Sequence, residues 1–500
     1  MDRPLDNLSS TLLTGRSLVL LQLLSRLLTF TLNQSLVRLA SPEVFGTAAI
    51  QFDLIGSTIL FLSREGIRNA LLRTKRVDEN GDISAADARL SIVPFRLGLL
   101  VTLVVSSIYL YSAPLSTTTQ PSFHLALSLY ILSALVELLI EPLYIRSLRA
   151  VPSKIHVRVQ AEGGMAIVKA VVTVASLVGL EKYWGGKALL GFALGQLTGS
   201  VWLAARYIWE FQETTSLLWV SISKDEKRYN GETLALAVAN TRQSLVKHVL
   251  TEADRIAVGR ISPLSDQGGY AVAMNYGSLI ARIIFQPLEE TLQLFFSSSL
   301  ANPSTIPLLT FVLHASSHLL LLLPAFLPPL LPPILPFLLP RRYLSTSAPS
   351  TLETYLCWYL PLLSLNGLLE SFHTASATPD QVKNQARWMI ASSAVFVVSL
   401  YSLTRLEGVI TTEQALIYSS CSSMIVRIAY AYRHARRWSP AKAIRLRQIV
   451  PRLPMVIASC VSGGVLRGVY RMHRWEASWR GWVELVGLGG GLGLAVLYIM

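Results

Sequence analysis

The chain has 500 residues, 52% of them hydrophobic and only 15% charged, with a formal net charge of +14 and a mean hydropathy of +0.46. A soluble domain carries about 25% charged residues, so most of this surface cannot face water and a soluble globular protein is excluded. The basic excess sits in short loops between apolar runs, where it marks the cytosolic side of a membrane rather than nucleic-acid binding.

Apolar runs at 97–111, 123–139, 188–205 and 482–500 are near or above the ~20 residues that a helix needs to span a bilayer. Backbone groups in lipid must be satisfied internally, so these runs are helices. Candidate spans in chain order are 14–40, 44–63, 90–112, 122–145, 165–181, 188–210, 234–258, 268–300, 306–326, 352–372, 387–404, 413–433, 449–470 and 480–500. The fold class expected is therefore an all-α polytopic membrane protein of about fourteen transmembrane helices. The first apolar segment contains Arg16, Arg26 and Arg38 and is expected to stay as the first membrane helix rather than be cleaved as a signal. The spans near 165 and 449 are the shortest. From Leu319 to Pro340 the chain is almost pure Leu and Pro. Proline removes a donor and clashes with the preceding turn, so a helix is expected to end near Pro324 and an extended or interfacial segment to follow. Loops on one side hold roughly 22 basic residues against roughly 9 on the other, which places both termini in the cytosol.

An ungapped offset of 221 residues superposes the first helical pair on the seventh and eighth: Gln22 on Gln243, Arg26 on Lys247, Asn33 on Asp254, Ser41-Pro42 on Ser262-Pro263, Gly56-Ser57 on Gly277-Ser278. Weak internal symmetry of this kind is typical of transporters with two related bundles and a substrate site between them. It predicts an N-terminal lobe over 1–230, a C-terminal lobe over 231–433 and two additional helices over 434–500.

Charge inside membrane helices is costly and faces a cavity or a partner. Here it concentrates in the first, second, seventh and eighth spans. Arg26, Arg38 and Arg64 offer guanidinium forks that match phosphate oxygens; Arg68, Glu252, Asp254, Arg255, Arg282, Glu289 and Glu290 complete the candidate set, with snorkelling to cytosolic headgroups the alternative for Arg64 and Arg68 at their helix end. Glu252 and Arg255 share a helix face, as do Lys247 and Asp254, which predicts a charged stripe lining a hydrophilic cavity. Structural ion pairs are the alternative reading of the same residues. Later helices are cleaner, with Glu370, Arg427 and Glu484 nearly alone. Gly191, Gly195 and Gly199, and likewise Gly487 with Gly491 and Gly489 with Gly493, have the spacing that lets helices approach closely.

Signals for catalysis are absent: no phosphate-binding glycine loop, no Cys pair among Cys357, Cys421 and Cys460, and no third ligand beside His314 and His318. No enzyme activity, cofactor or metal is expected.

Residues 20–49 (LLQLLSRLLTFTLNQSLVRLASPEVFGTAA), 61–72 (FLSREGIRNALL), 249–258 (VLTEADRIAV) and 267–290 (QGGYAVAMNYGSLIARIIFQPLEE) resemble the eukaryotic Rft family of lipid-linked oligosaccharide translocation proteins. That family is part of the superfamily holding multidrug/toxin extruders and bacterial lipid-linked sugar flippases. The resemblance is carried by 1–300 and is thin beyond. It implies a V-shaped two-lobe fold, residence in the endoplasmic reticulum membrane and a role in N-glycosylation. The implied cargo is a dolichyl-diphosphate heptasaccharide moved from the cytosolic to the luminal leaflet. Arg38, Arg64, Glu65, Arg68, Glu252, Asp254, Glu289 and Glu290 fall on the family's motifs. The expected partners are that lipid-linked oligosaccharide and membrane lipids, and no nucleic acid. One alternative is an accessory that binds the lipid-linked oligosaccharide, or supports its assembly enzymes, without moving it. A second is a multidrug exporter, against which the excess of Arg and Lys over carboxylate in the first helices argues.

Overall fold

A computed structural model of the chain describes residues 31–32, 34–73, 85–149, 155–184, 187–212, 231–298, 300, 304–406, 408–438, 444–472 and 479–499. Among the described residues the fold is helical throughout, with no strand. Among the described residues, eight helical runs are long and apolar enough to cross a membrane. The described residues up to Ile256 form one compact unit and those from Ala257 on form a second.

The first unit opens on the short helix α1 (Pro42–Gly46), capped by the Ser41 side chain, which accepts from the Val44 amide at 3.4 Å. A π-helical turn, Thr47–Phe52, leads into α2 (Asp53–Arg73). Then come α3 (Ala85–Ser112), α4 (Phe123–Leu139), α5 (Glu141–Arg149), α6 (Ile155–Trp184), α7 (Ala188–Glu210) and α8 (Gly231–Thr251). α2 is the hub, packing on α3, α4 and α8. Its apolar side enters a core with Ile67, Leu71, Leu90, Leu143, Val157 and Tyr207. Gly66 lets α8 approach, because a Cβ there would run into the backbone of Thr241. α8 packs on α2 within the first unit.

Two expectations about helix contacts part ways. Gly191, Gly195 and Gly199 do face α6: a Cβ at Gly191 would lie 3.3 Å from Leu177, and one at Gly195 would meet Thr173 and the Lys169 carbonyl. At the C-terminus, Gly487, Gly491 and Gly493 face open space, and only Gly489 meets a neighbour, Leu330 at 3.4 Å. The spacing is right for packing, but among the described residues no helix lies on that side. The span expected over 165–181 is also longer than it read. α6 runs through polar residues such as Arg158, Gln160 and Glu162 for 30 residues.

The second unit begins within α9 (Ala253–Ile261) and continues through α10 (Leu264–Ile280), a π turn (Ala281–Phe285), α11 (Gln286–Ser298), α12 (Thr305–Ser317) and α13 (Leu319–Leu338). α14 (Ala348–Thr354), a third π turn (Tyr355–Tyr359), α15 (Leu360–Ser376), α16 (Pro379–Leu403), α17 (Thr412–Trp438), α18 (Leu453–Met472) and α19 (Trp479–Ile499) complete it. Its core joins Phe296, Leu309, Leu313, Leu368, Phe372 and Ala435. Two of the π turns come just before Pro287 and Pro361. A proline ring crowds the carbonyl four residues back, and a widened turn is one way to clear it.

The Leu/Pro tract corrects the expectation of a break at Pro324: α13 stays helical through Pro324, Pro328, Pro329, Pro332, Pro333 and Pro336. Each proline deprives the carbonyl four residues earlier of its donor, Pro324 and Ala325 among them. α18 supplies a donor at the first position and packs closely on the second. Arg467 donates to the Pro324 carbonyl at 2.8 Å. Gly463 is so close to Ala325 that a Cβ would stand 2.8 Å from its carbonyl oxygen. Neighbouring helices can re-satisfy freed carbonyls in this way, which is why proline is tolerated inside membrane helices.

Candidate functional site

Arg64 and Arg68 are four residues apart on α2, and therefore on one face. Glu137 and Glu141 have the same spacing at the junction of α4 and α5. The two faces meet as a ladder. Arg64 Nη1 lies 3.6 Å from Glu137 Oε2, and Ser200 donates to the other oxygen of Glu137 at 2.9 Å. Arg68 makes the bidentate fork, Nε to Oε1 at 2.5 Å and Nη2 to Oε2 at 2.6 Å of Glu141. The Arg68 guanidinium also lies 3.8 Å over the Tyr144 ring. Arg68 is 14% exposed and Glu141 1%. A guanidinium held this way has its charge and its fork already engaged.

The other candidates are distributed as follows. Arg26 lies outside the described residues. Arg38 is exposed, near the end of a helical stretch over 34–39. Glu65 accepts from Asn69 at 3.1 Å. Arg255 pairs with Glu252 at 3.2 Å, and Asp254 is half-buried. The seventh span is interrupted at Glu252, between α8 and α9, so the expected stripe from Lys247 to Asp254 does not run along one continuous helix. Next to it, Thr58 Oγ1 lies 2.8 Å from His248 Nε2 and Phe61 stacks on the same ring.

In the second unit, Arg282 occupies the π turn between α10 and α11 and is exposed. Its hydrogen bonds go to its own helix: Ser278 Oγ at 3.0 Å, the Ser278 carbonyl at 3.4 Å, and Asn275 at 3.4 Å. Among the described residues it pairs with no carboxylate. Glu289 and Glu290 are adjacent in sequence and so face different ways. Glu290 is exposed and accepts from Gln286 at 3.0 Å. Glu289 is half-buried against α15, where Gly367 makes room for its carboxylate.

Sequence reasoning passed over one cluster. Glu370 on α15 accepts from Arg427 of α17 at 2.7 Å and from Asn366 at 3.0 Å. Gln385, Trp388 and Tyr430 line the same recess. A signal was available: two opposite charges, each nearly alone in an apolar helix, are costly apart and imply a pair.

A family model described as Rft protein matches residues 10–496. The chain belongs to the Rft family. Among its relatives is a Schizosaccharomyces pombe protein named Man(5)GlcNAc(2)-PP-dolichol translocation protein RFT1. It is 29% identical over 456 residues, covering 87% of this chain and 84% of the relative. Proteins of the same name from Saccharomyces cerevisiae (29% over 474 residues; 83% and 81% covered) and Mus musculus (30% over 470 residues; 87% and 84% covered) are similar to it as well. A solved structure titled "Lipid II flippase MurJ, inward closed conformation" shares the fold, with a TM-score of 0.59, 97% of this chain and 98% of that chain covered, and 13% identity. Of the family motifs quoted above, that over 61–72 falls on the α2 ladder, that over 249–258 on the α8–α9 junction and that over 267–290 on the α10–α11 segment, while that over 20–49 lies partly outside the described residues and ends on α1 and the π turn after it.

Proposed function

We propose that this chain translocates a dolichyl-diphosphate heptasaccharide from the cytosolic to the luminal leaflet of the endoplasmic reticulum membrane, supplying protein N-glycosylation. Relatives named for that cargo align with it over 81% or more of their own length. The geometric observation that carries the reading is Arg282. It sits near the middle of the expected span 268–300, exposed, with no carboxylate partner among the described residues. A guanidinium is expensive at that depth unless an anion joins it, and its fork suits the oxygens of a diphosphate. Exposed Arg38 is the second candidate for that role, while Arg64 and Arg68 hold α2 to α4 and α5. The chain acts as a transporter without catalysis. Fourteen spans, two lobes over 1–230 and 231–433, two further helices over 434–500, and cytosolic termini remain the proposed arrangement.

The test is reconstitution into liposomes containing dolichyl-diphosphate heptasaccharide, timing how fast inner-leaflet lipid becomes accessible to an external sugar-binding protein. Wild-type protein should speed exposure, and Arg282→Ala should lower the rate about tenfold or more, as expected for loss of a charge-assisted contact. A wild-type rate equal to that of empty liposomes, with the protein folded and binding the lipid, would leave an accessory that binds without moving its cargo.

A further inference from the structure

The recess where α15, α16 and α17 meet has a composition that the ladder on α2 lacks. Its ion pair is open: Glu370 and Arg427 are each 37% exposed. Asn366, buried to 5% exposure, donates to the same carboxylate oxygen that Arg427 engages. The other oxygen, Oε1, has no protein donor among the described residues. Trp388 and Tyr430 form one wall, their rings 5.6 Å apart and inclined by 32°. Tyr430 is held in place, since its hydroxyl donates to the Gln381 carbonyl at 3.0 Å and the His373 ring packs on its ring.

Charge decides what such a recess can take. Arg427 is already neutralised by Glu370. Glu289 stands against Gly367, three residues before Glu370 and hence on the same face of α15. Two carboxylates and one guanidinium repel a phosphate. What remains attractive is a neutral group rich in hydroxyls. An aromatic wall offers a flat apolar face for a ring's C–H surface. A carboxylate, two amides and a guanidinium supply acceptors and donors at its edge, the mix of apolar wall and few polar groups that defines small-ligand sites.

Interfacial aromatics are common in membrane proteins, and a belt position alone accounts for Trp388 and Tyr430. It does not account for a buried amide and a half-open ion pair in the recess beside them. We infer that this recess is a subsite for neutral hexose units of a glycan. Trp388 stacks on a pyranose face, and Glu370, Asn366, Gln385 and Arg427 bond its hydroxyls. The inference rests on the translocation reading for the identity of the glycan, and on nothing else from it.

The experiment measures binding of lipid-free Man5GlcNAc2 heptasaccharide to the full-length protein in lipid nanodiscs by saturation-transfer NMR, beside binding of sugar-free dolichyl diphosphate. Trp388→Ala should weaken glycan binding about tenfold, the scale of an aromatic anchor, and Trp388→Phe, which keeps a ring, should recover most of it. Neither should change binding of dolichyl diphosphate, which also reports folding. Should Trp388→Ala fail to fold, Gln385→Ala on the half-exposed side of α16 replaces it, with a loss of about threefold expected for one hydrogen bond. Glycan affinity unchanged in these variants, or absent in wild type, overturns the subsite. Trp388-dependent glycan binding without any acceleration of leaflet exchange keeps the subsite and removes the translocation reading.

Discussion

The Arg68–Glu141 pair of the first unit and the Glu370–Arg427 pair of the second use the same chemistry in different surroundings. The first is closed: a bidentate fork, an aromatic ring against the guanidinium, and 14% and 1% exposure. The second is a single close contact with 37% exposure on both sides, in a recess with aromatic walls. A charge sealed against its partner holds helices together, and a charge left half open can still exchange partners. We propose that exposure, more than the presence of a charge, separates structural arginines from those that could meet a cargo.

Substitutions should sort by that difference. The largest effect belongs to Arg68→Ala, which leaves Glu141 buried and unpaired and should cost about 3–5 kcal/mol of stability, read by denaturant or thermal unfolding in detergent. Arg68→Met with Glu141→Leu should recover most of the loss, because replacing a buried pair by apolar residues is often neutral. Gly66→Ala comes next, at about 1–3 kcal/mol, since the new methyl meets the backbone of Thr241. Gly367→Ala should cost less, about 1 kcal/mol, because it meets only the Glu289 carboxylate, which can swing aside. Arg427→Ala should lower stability by less than about 1 kcal/mol, as for other exposed pairs. Smallest of all, Arg282→Ala should leave the unfolding free energy within about 0.5 kcal/mol of wild type, while changing transport. An Arg427→Ala loss as large as that of Arg68→Ala would erase the contrast between the two pairs.

Much of this was legible in the chain itself. Helices cover the expected spans from the second onward, because long apolar runs in a membrane leave few alternatives. The glycines on α7 could be read as packing because their spacing matches one helix face. The partners of Arg64 and Arg68 could not, because they lie 73 residues away and no local pattern encodes that distance. Six prolines in α13 argue locally for a break; against it stands α18, whose Arg467 bonds one freed carbonyl and whose Gly463 packs close to Ala325. Gly487, Gly491 and Gly493 mislead for the opposite reason, having packing spacing but, among the described residues, nothing within 4 Å of where a Cβ would stand. Glu370 and Arg427 were visible as isolated charges, but their recess depends on Trp388 arriving from α16 beside Tyr430, which shares a face of α17 with Arg427.

Leaflet exchange of dolichyl-diphosphate heptasaccharide, measured side by side for the Arg68→Met/Glu141→Leu double variant and for Arg282→Ala, separates the two kinds of arginine most directly. If the sealed ladder is structural and the exposed guanidinium meets the cargo, the double variant exchanges lipid near the wild-type rate and Arg282→Ala falls toward that of empty liposomes. A folded double variant without activity, beside a fully active Arg282→Ala, would contradict that assignment and return the ladder to the cargo.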